Sequence, residues 1–537
     1  MNNGRGACAG VAAAAKQSVV AWVESNAGQL SEDHQTIWKL AEPAWREHQA
    51  AAWFAQRLQN AGFQVERASA NMPTAFSAEW VSPAGAGPVI ASYAEYDAVP
   101  GNSQAAVPFR QPLAGHHETA PGFIDPHSAL AIGSLTGFLA AQAAIREHGL
   151  KGTLRFFGEP AENMCAGKCR HAAQGYYDNL DAVLTWRPTA SRVLANTCMR
   201  DVHCGCFWSV VFTFRCSDPA DWQKPPTPAT TSLNARPPGA LDALCLMYTT
   251  TKYTKEAMLP TTGGWSLNEA ILSNASNTAN NHAPRFAQIQ YSWRCPTIDM
   301  AQRVLDVLQN NARHVAAMTH TQVQLDWVSK TRAGLPNHAI ADVAFANLRA
   351  VGGPKWSGDA IAFANACRAS LGLPSTTTPL DDRMSDVIEP KSADAKLRAD
   401  MPSWQQHYSA DDYVEYTWHA PTARILVGRP CLKPQHDGEQ FPSWVNVALG
   451  GFAPAIDPTI STAAKAIGMT TIELLADPQK LAECQSEFER RTGGGIGGDQ
   501  WQPPLLDQAS RPPIDFPWPE YRMTPSGQKW MISASEE

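Results

Sequence analysis

Charge is scarce in this chain, and no long run of one kind interrupts it. Of 537 residues only 17% are charged, with 43 Lys and Arg against 50 Asp and Glu, for a formal net charge of -7. Without a long basic run, nucleic acid is not an expected partner. No stretch reaches the roughly 18 consecutive apolar residues that cross a bilayer, so no membrane partner is expected either. The N-terminal "MNNGRGACAGVAAAAKQSVV" has no strong apolar centre. It does not read as a signal peptide, and a cytoplasmic location is expected. Cysteine is sparse and irregularly spaced, 12 in all, which excludes a disulfide framework and favours reduced thiols. Cys165 and Cys169, and His203, Cys204 and Cys206, lack the CxxC knuckle spacing of a structural zinc site. No internal repeat is present.

What is abundant is apolar residues, 44% of the chain. That is a globular composition, and the length exceeds what one core serves. Residues from about 16 to 62 carry apolar positions at three- and four-residue spacing and read as helical, stopped by Gly62. "PTAFSAEWV" and "PVIASYAEYDAVPG" read as strands, the second ending in Asp97. "SALAIGSLTGFLAAQAAIREHGL" is a helix ended by Gly149, and "GTLRFFGEPAE" and "LDAVLTWRP" are strands running into loops. This alternation predicts an α/β fold. From Phe207 a strand–helix–strand–helix series predicts an inserted α+β module. The expected division is 1–205 and 328–492 for the two parts of a catalytic domain and 206–327 for the insertion. A Pro-rich arm, 493–537, follows over the surface.

Candidate chemistry collects at strand ends. Asp125 and His127 alternate in "PGFIDPHS", so both can face one cation. "GEPAEN" adds Glu159 and Glu162, carboxylates able to bind metal or take a proton. Trp208, Trp222, Trp265, Tyr291 and Trp293 in the insertion either stack an aromatic ligand or form core.

Taken in order, these stretches resemble the amidohydrolase branch of the dinuclear zinc peptidases of the aminoacylase and carboxypeptidase-G type, and within it the aminobenzoyl-glutamate hydrolase-like proteins. "AEYDAVPGNSQ" is similar to the family's E-[FY]-D-A-L-P-G-x-S-Q, "GTLRFFGEPAENMCAGK" to G-T-V-R-x-x-G-x-P-x-E-E-x-x-x-G-K, and "LDAVLTWRP" to D-A-x-L-T-W-H-P. The N-terminal segment, "GALDALCLM" and "LPNHAIADVAFANL" add to it, from about Lys16 to Thr492. The resemblance implies a mixed-sheet catalytic domain with helices on both faces, and an inserted α+β lid that also dimerises. It implies hydrolysis of an amide C–N bond in a small substrate, with a metal-bound water and a Glu as base.

The ligand motifs depart from the family's. G-H-G-C-G-H-N becomes "GFIDPHS", so the bridging Cys is Asp125 while His127 remains. The Glu-Glu pair becomes Glu162–Asn163, keeping the base and replacing a ligand. The T-W-H-P ligand His becomes Arg187, which has no lone pair to offer a metal. Pro442 stands in the place of the last ligand, in "FPSW", and "CSDPADWQKPP" replaces the lid's A-H-A segment. The expectation is therefore an amidohydrolase with at most one metal, zinc or manganese, held by Asp125, His127 and Glu159. Glu162 and Asp97 are then catalytic, and Arg187, Asn163 and His419 bind a substrate that is anionic or aromatic. The alternatives are a metal-independent enzyme using Glu162, Asp125 and His127 for acid–base work, and a non-catalytic partner subunit or binding protein. His116, His117 and His203 are further donors without family precedent.

Overall fold

The computed structural model describes residues 2–117, 119–217, 236–259, 263–273, 282–436, 438–524 and 527–531. Residues 218–226 of the segment replacing A-H-A, Trp222 included, lie outside the described residues.

Seven strands form the main sheet: β1 (Gln64–Arg67), β2 (Phe76–Val81), β3 (Val89–Glu95), β4 (Thr153–Glu159), β5 (Ala182–Thr189), β6 (Thr197–Met199) and, later in the chain, Thr422–Gly428. Their order is β1, β2, β4, β3, β5, Thr422–Gly428, β6. The central pairs are parallel and both edges antiparallel, a mixed sheet. Val, Ile, Leu and aromatic runs make the central strands, as burial on both faces demands.

The helix His127–His148 is long and apolar enough to cross a membrane by composition, which a count of unbroken apolar residues misses; 94% of its most apolar window is buried. It is a core helix, packed against Asn2–Ser25 and Ala453–Ala476. The expected helix from 16 to 62 is three: Asn2–Ser25, Ala27–Leu40 and His48–Asn60. Pro43 withdraws a donor between the last two. Glu42 then accepts from Gln49 N (3.0 Å) and Ala50 N (2.9 Å) and starts the third.

A second sheet uses β7 (Cys204–Arg215), β8 (Ser266–Ser273), β9 (Phe286–Cys295) and β10 (Gln322–Lys330), all antiparallel in the order β10, β7, β9, β8. The short β11 (Tyr408–Ala410) adds to β7 in parallel. The main-sheet strand Thr422–Gly428 is thus β12 in chain order. Helices Ala240–Met258 and Ile298–Met318 pack against this second sheet. Trp208, Tyr291 and Trp293 are buried in its core and Trp265 is half-buried against it, so these four are core residues.

Beyond Thr492 the chain crosses both sheets. Arg332 donates to Gln502 O (2.7 Å) and Trp501 to Trp418 O (2.5 Å). Trp518 packs with Trp45 and Ala161 from around the first sheet and with Val211 and Val328 from the second.

Candidate active site

The side chains that converge do so because the strands alternate. Tyr93 and Glu95 of β3 share a face, and Asp97 continues it past the strand end. Tyr96 points the other way, stacked on Phe54 and Phe76. On β5, Trp186 turns toward the helix His127–His148, where its indole donates to Leu130 O at 2.8 Å. Gly133 makes that approach possible, since a Cβ there would lie 2.5 Å from the ring. Arg187 must then face away from that helix. His127 is the helix's first residue, and Asp125 precedes it by two. Glu162 opens a single 3-10 turn entered through Ala161 at φ 55°. That turn is pinned by Glu47, which accepts from Ala161 N at 2.7 Å and from Thr74 Oγ1 at 2.9 Å.

The result is a layered charge cluster. Arg187 Nη2 reaches Asp125 Oδ1 at 2.5 Å, while Nη1 reaches Glu162 Oε1 at 3.0 Å and Asp411 Oδ2 at 3.1 Å. Arg424, on β12 beside β5, holds Asp411 Oδ2 at 2.6 Å and donates to the Tyr93 hydroxyl at 2.7 Å. Lys168 Nζ joins Glu95 Oε1 (2.6 Å) to Asp412 Oδ1 (2.7 Å). His127 Nδ1 sits 3.0 Å from Asp97 Oδ1 and 2.9 Å from Asp97 O. Its Nε2 is 2.9 Å from Glu162 Oε2 and 3.7 Å from Glu95 Oε2, without the alignment of a hydrogen bond. Access is from one side: the Asp125 and Arg187 side chains are 36% and 24% exposed, Glu162 and His127 only 5% and 1%.

Burial and charge oppose each other throughout. Burial alone would keep His127 neutral, but Glu162 and Asp97 overcome it and raise its pKa well above the usual value. Burial would raise Glu162, yet His127 and Arg187 hold it well below the usual carboxylate range. Asp125 is likewise lowered, burial being outweighed by Arg187. For Asp412 and Glu95 burial wins over Lys168, and both are raised.

The donor set does not fit two metals. The Arg187 guanidinium fills the space between Asp125, Glu162 and Asp411. The Asn163 amide is turned onto Asp97 Oδ2 at 2.8 Å. Pro442 precedes the helix Ser443–Gly451 and offers no side-chain donor. One cation does fit. Glu95, His127 and Glu162 offer atoms all within 4.8 Å of one another. Two of them, Glu95 Oε2 and His127 Nε2, are buried without a hydrogen-bond partner. Ligands at about 2.1 Å in a tetrahedron stand about 3.4 Å apart, and the separations here bracket that. The Asp97 contact to Nδ1 is the outer-shell partner a metal-binding imidazole takes.

Of the residues expected from sequence, Asp97, Asp125, His127, Glu162, Asn163 and Arg187 come together. Glu159 does not. Its Oε1 accepts from Tyr177 (2.6 Å) and Tyr416 (2.5 Å), and Oε2 lies 2.8 Å from His171 Nδ1. With both oxygens engaged, Glu159 is not a metal donor, and Glu95 is the third carboxylate instead. Asn163 orients Asp97 and has no amide proton spare for a substrate. His419 is turned elsewhere, onto Asp178 (2.9 Å) and Arg332 (3.0 Å). His203 lies 2.9 Å from the Tyr413 hydroxyl, His117 bonds Thr119, and neither these nor His116 joins a donor cluster. Cys165, Cys169, Cys204 and Cys206 are buried free thiols. Sequence reasoning passed over Glu95, Lys168, Asp411, Asp412 and Arg424. Glu95, two residues before Asp97 on a strand, was within reach of the period-two rule.

No family model matches this chain. It is 26% identical over 486 residues to a subunit of the p-aminobenzoyl-glutamate hydrolase of Escherichia coli K12, spanning 88% of this chain and 94% of that protein. It is 25% identical over 316 residues to the mouse Xaa-Arg dipeptidase, spanning 57% of this chain and 64% of that one. Among solved structures, the aminobenzoyl-glutamate utilization protein of Klebsiella pneumoniae superposes with a TM-score of 0.50 at 14% identity, over 83% of this chain and 98% of that one, a likeness of fold. Motif order, fold and a match along most of the sequence agree: the chain is a divergent relative of the aminobenzoyl-glutamate hydrolase-like amidohydrolases, carrying an arginine where they place a metal-binding histidine.

Proposed function

We propose that this chain hydrolyses an amide C–N bond of a small N-acyl amino acid of the p-aminobenzoyl-glutamate kind, using one metal instead of two. The observation that carries the reading is the set of atoms facing one another at Glu95 Oε2, His127 Nε2 and Glu162 Oε2, two of them buried and unpartnered. Unpartnered buried polar atoms are costly, so a site that keeps them has a use for them. Glu95, His127 and Glu162 would hold a divalent ion, zinc or manganese, which when bound acidifies a water and polarises a carbonyl.

The protein's own groups do the rest. Glu162 Oε1 is tied to Arg187, which leaves Oε2 to receive a proton. Held well below the usual range by His127 and Arg187, that carboxylate is a weak base at rest. Its basicity rises when a substrate draws positive charge away from it. Asp97 fixes the His127 ring through Nδ1 and leaves Nε2 facing the site. Arg187 supplies, as a fixed charge, what the second metal supplies in relatives that bind two. The Escherichia coli relative is by name one subunit of a hydrolase, and we take assembly with a partner subunit, or dimerisation through the second sheet, as part of the same proposal. A cytoplasmic setting suits the buried free thiols.

The test is purified protein assayed on p-aminobenzoyl-glutamate and a panel of N-acyl amino acids, with zinc, manganese or chelator, beside metal analysis. Hydrolysis with about one metal per chain is expected. Absence of turnover on every substrate under every metal condition would reject the enzyme reading, and two metals per chain would reject the one-metal site.

A further inference from the structure

Arg187, the residue whose position first suggests a substrate clamp, is saturated by Asp125, Glu162 and Asp411. A second guanidinium stands beside it in a different condition. Arg429 follows β12 directly, and its backbone N–H donates to Thr189 O at 2.8 Å, the end of β5 two residues beyond Arg187. Its Nη1 donates to Ile124 O at 3.2 Å, and its Nε is buried without a partner. Among the described residues Arg429 forms no ion pair. The acid that might have served, Asp381, is already held by Arg192 at 2.9 Å and by Arg383 at 2.8 Å. Arg429 senses the charges of both Asp125 and Arg187. Those two are the exposed layer of the cluster, so a molecule reaching Glu162 passes Arg429 on the way.

We infer that Arg429 is the substrate-binding residue for a carboxylate, and that this site takes acyl amino acids whose amino-acid half is anionic. The inference rests on the amidohydrolase reading for the identity of its substrate, and not for the existence of the anion subsite. A carboxylate arriving at Arg187 would have to displace Asp125 or Glu162. One arriving at Arg429 displaces no acid, and it gives the orphaned Nε an acceptor in the side-on fork that guanidinium and carboxylate form. Parallel strand ends are where α/β sheets receive ligands, and Arg429 lies at such an end.

Calorimetric titration of the full-length protein with N-benzoyl-L-glutamate, and separately with its dimethyl ester, tests this without turnover. The parent is expected to bind the diacid about tenfold or more tightly than the ester. Arg429→Gln should weaken the diacid about tenfold and leave the ester unchanged, and Arg429→Lys should recover part of the loss. The assignment is overturned if Arg429→Gln binds the diacid like the parent, if the parent does not prefer the diacid, or if it binds neither compound. A loss on Arg429→Gln that Arg429→Lys does not relieve at all, with a lowered unfolding midpoint, would mark Arg429 as structural and also overturns it. Hydrolysis assays on the same compounds report separately on the amidohydrolase reading, so a protein that binds the diacid selectively and cleaves nothing loses only that.

Discussion

Glu95 and Glu159 are neighbours in register at the ends of parallel strands β3 and β4. Both are fully buried, yet their surroundings differ completely. Glu159 receives two tyrosine hydroxyls and faces His171, so both oxygens are satisfied. Burial would raise its pKa, but His171 outweighs that and lowers it. Glu95 has Lys168 on one oxygen and nothing on the other, and burial raises it despite Lys168. A buried acid with all its partners is scaffolding, ordering the elements that supply them. A buried acid left half-partnered and pointed at an imidazole holds free energy in reserve for something that binds.

The largest effect that could break this contrast is chemical. Glu162→Gln keeps the side chain's shape and removes its proton acceptor. Hydrolysis should fall by about 10² to 10⁴-fold while urea unfolding changes little, and activity at the parent level would remove Glu162 from the mechanism. Next comes Glu159→Ala, which strands Tyr177, Tyr416 and His171 together. A stability loss of about 3 kcal/mol is expected in denaturant titrations, with metal stoichiometry kept; loss of the metal with stability intact would reverse the roles given to the two glutamates. Asp97→Asn removes the carboxylate behind His127. Zinc affinity measured by competition with a chelating dye should drop about 10- to 100-fold.

The smallest effect concerns an unpartnered acid far from the site. Asp457, on the helix Ala453–Ala476, has a buried Oδ1 with no partner, and burial raises its pKa to about 6. A raised acid destabilises the fold once ionised. Asp457→Asn should therefore change nothing below about pH 4, gain between pH 4 and 6, and stabilise by about 2 kcal/mol above pH 7. Thermal unfolding across that range checks it, and unchanged hydrolysis would show that a lone orphan, with no imidazole or second acid facing it, is not a site.

Motif order makes much of the site legible. Asp97, Asp125, His127, Glu162, Asn163 and Arg187 stand at fixed places in three short stretches, and those stretches end neighbouring strands. Glu159 departs from its expected role because its position on β4 is right while its rotamer is set by Tyr177 and Tyr416, one of them 257 residues away. His419 departs similarly, since Asp178 and Arg332 claim its ring from separate elements. Asp411, Asp412, Arg424 and Arg429 carry no motif. They enter because β12 inserts beside β5 after a long excursion of the chain.

The sequence alone determined the strand-and-helix alternation, the presence of a second β-containing module after Phe207, and the loss of metal donors at Asn163, Arg187 and Pro442, because apolar periodicity and residue chemistry are local properties. The tertiary structure decided which acids are spent and which are spare. Partnership in a buried cluster is settled by side chains arriving from distant strands, and no window of sequence contains both ends of the contact.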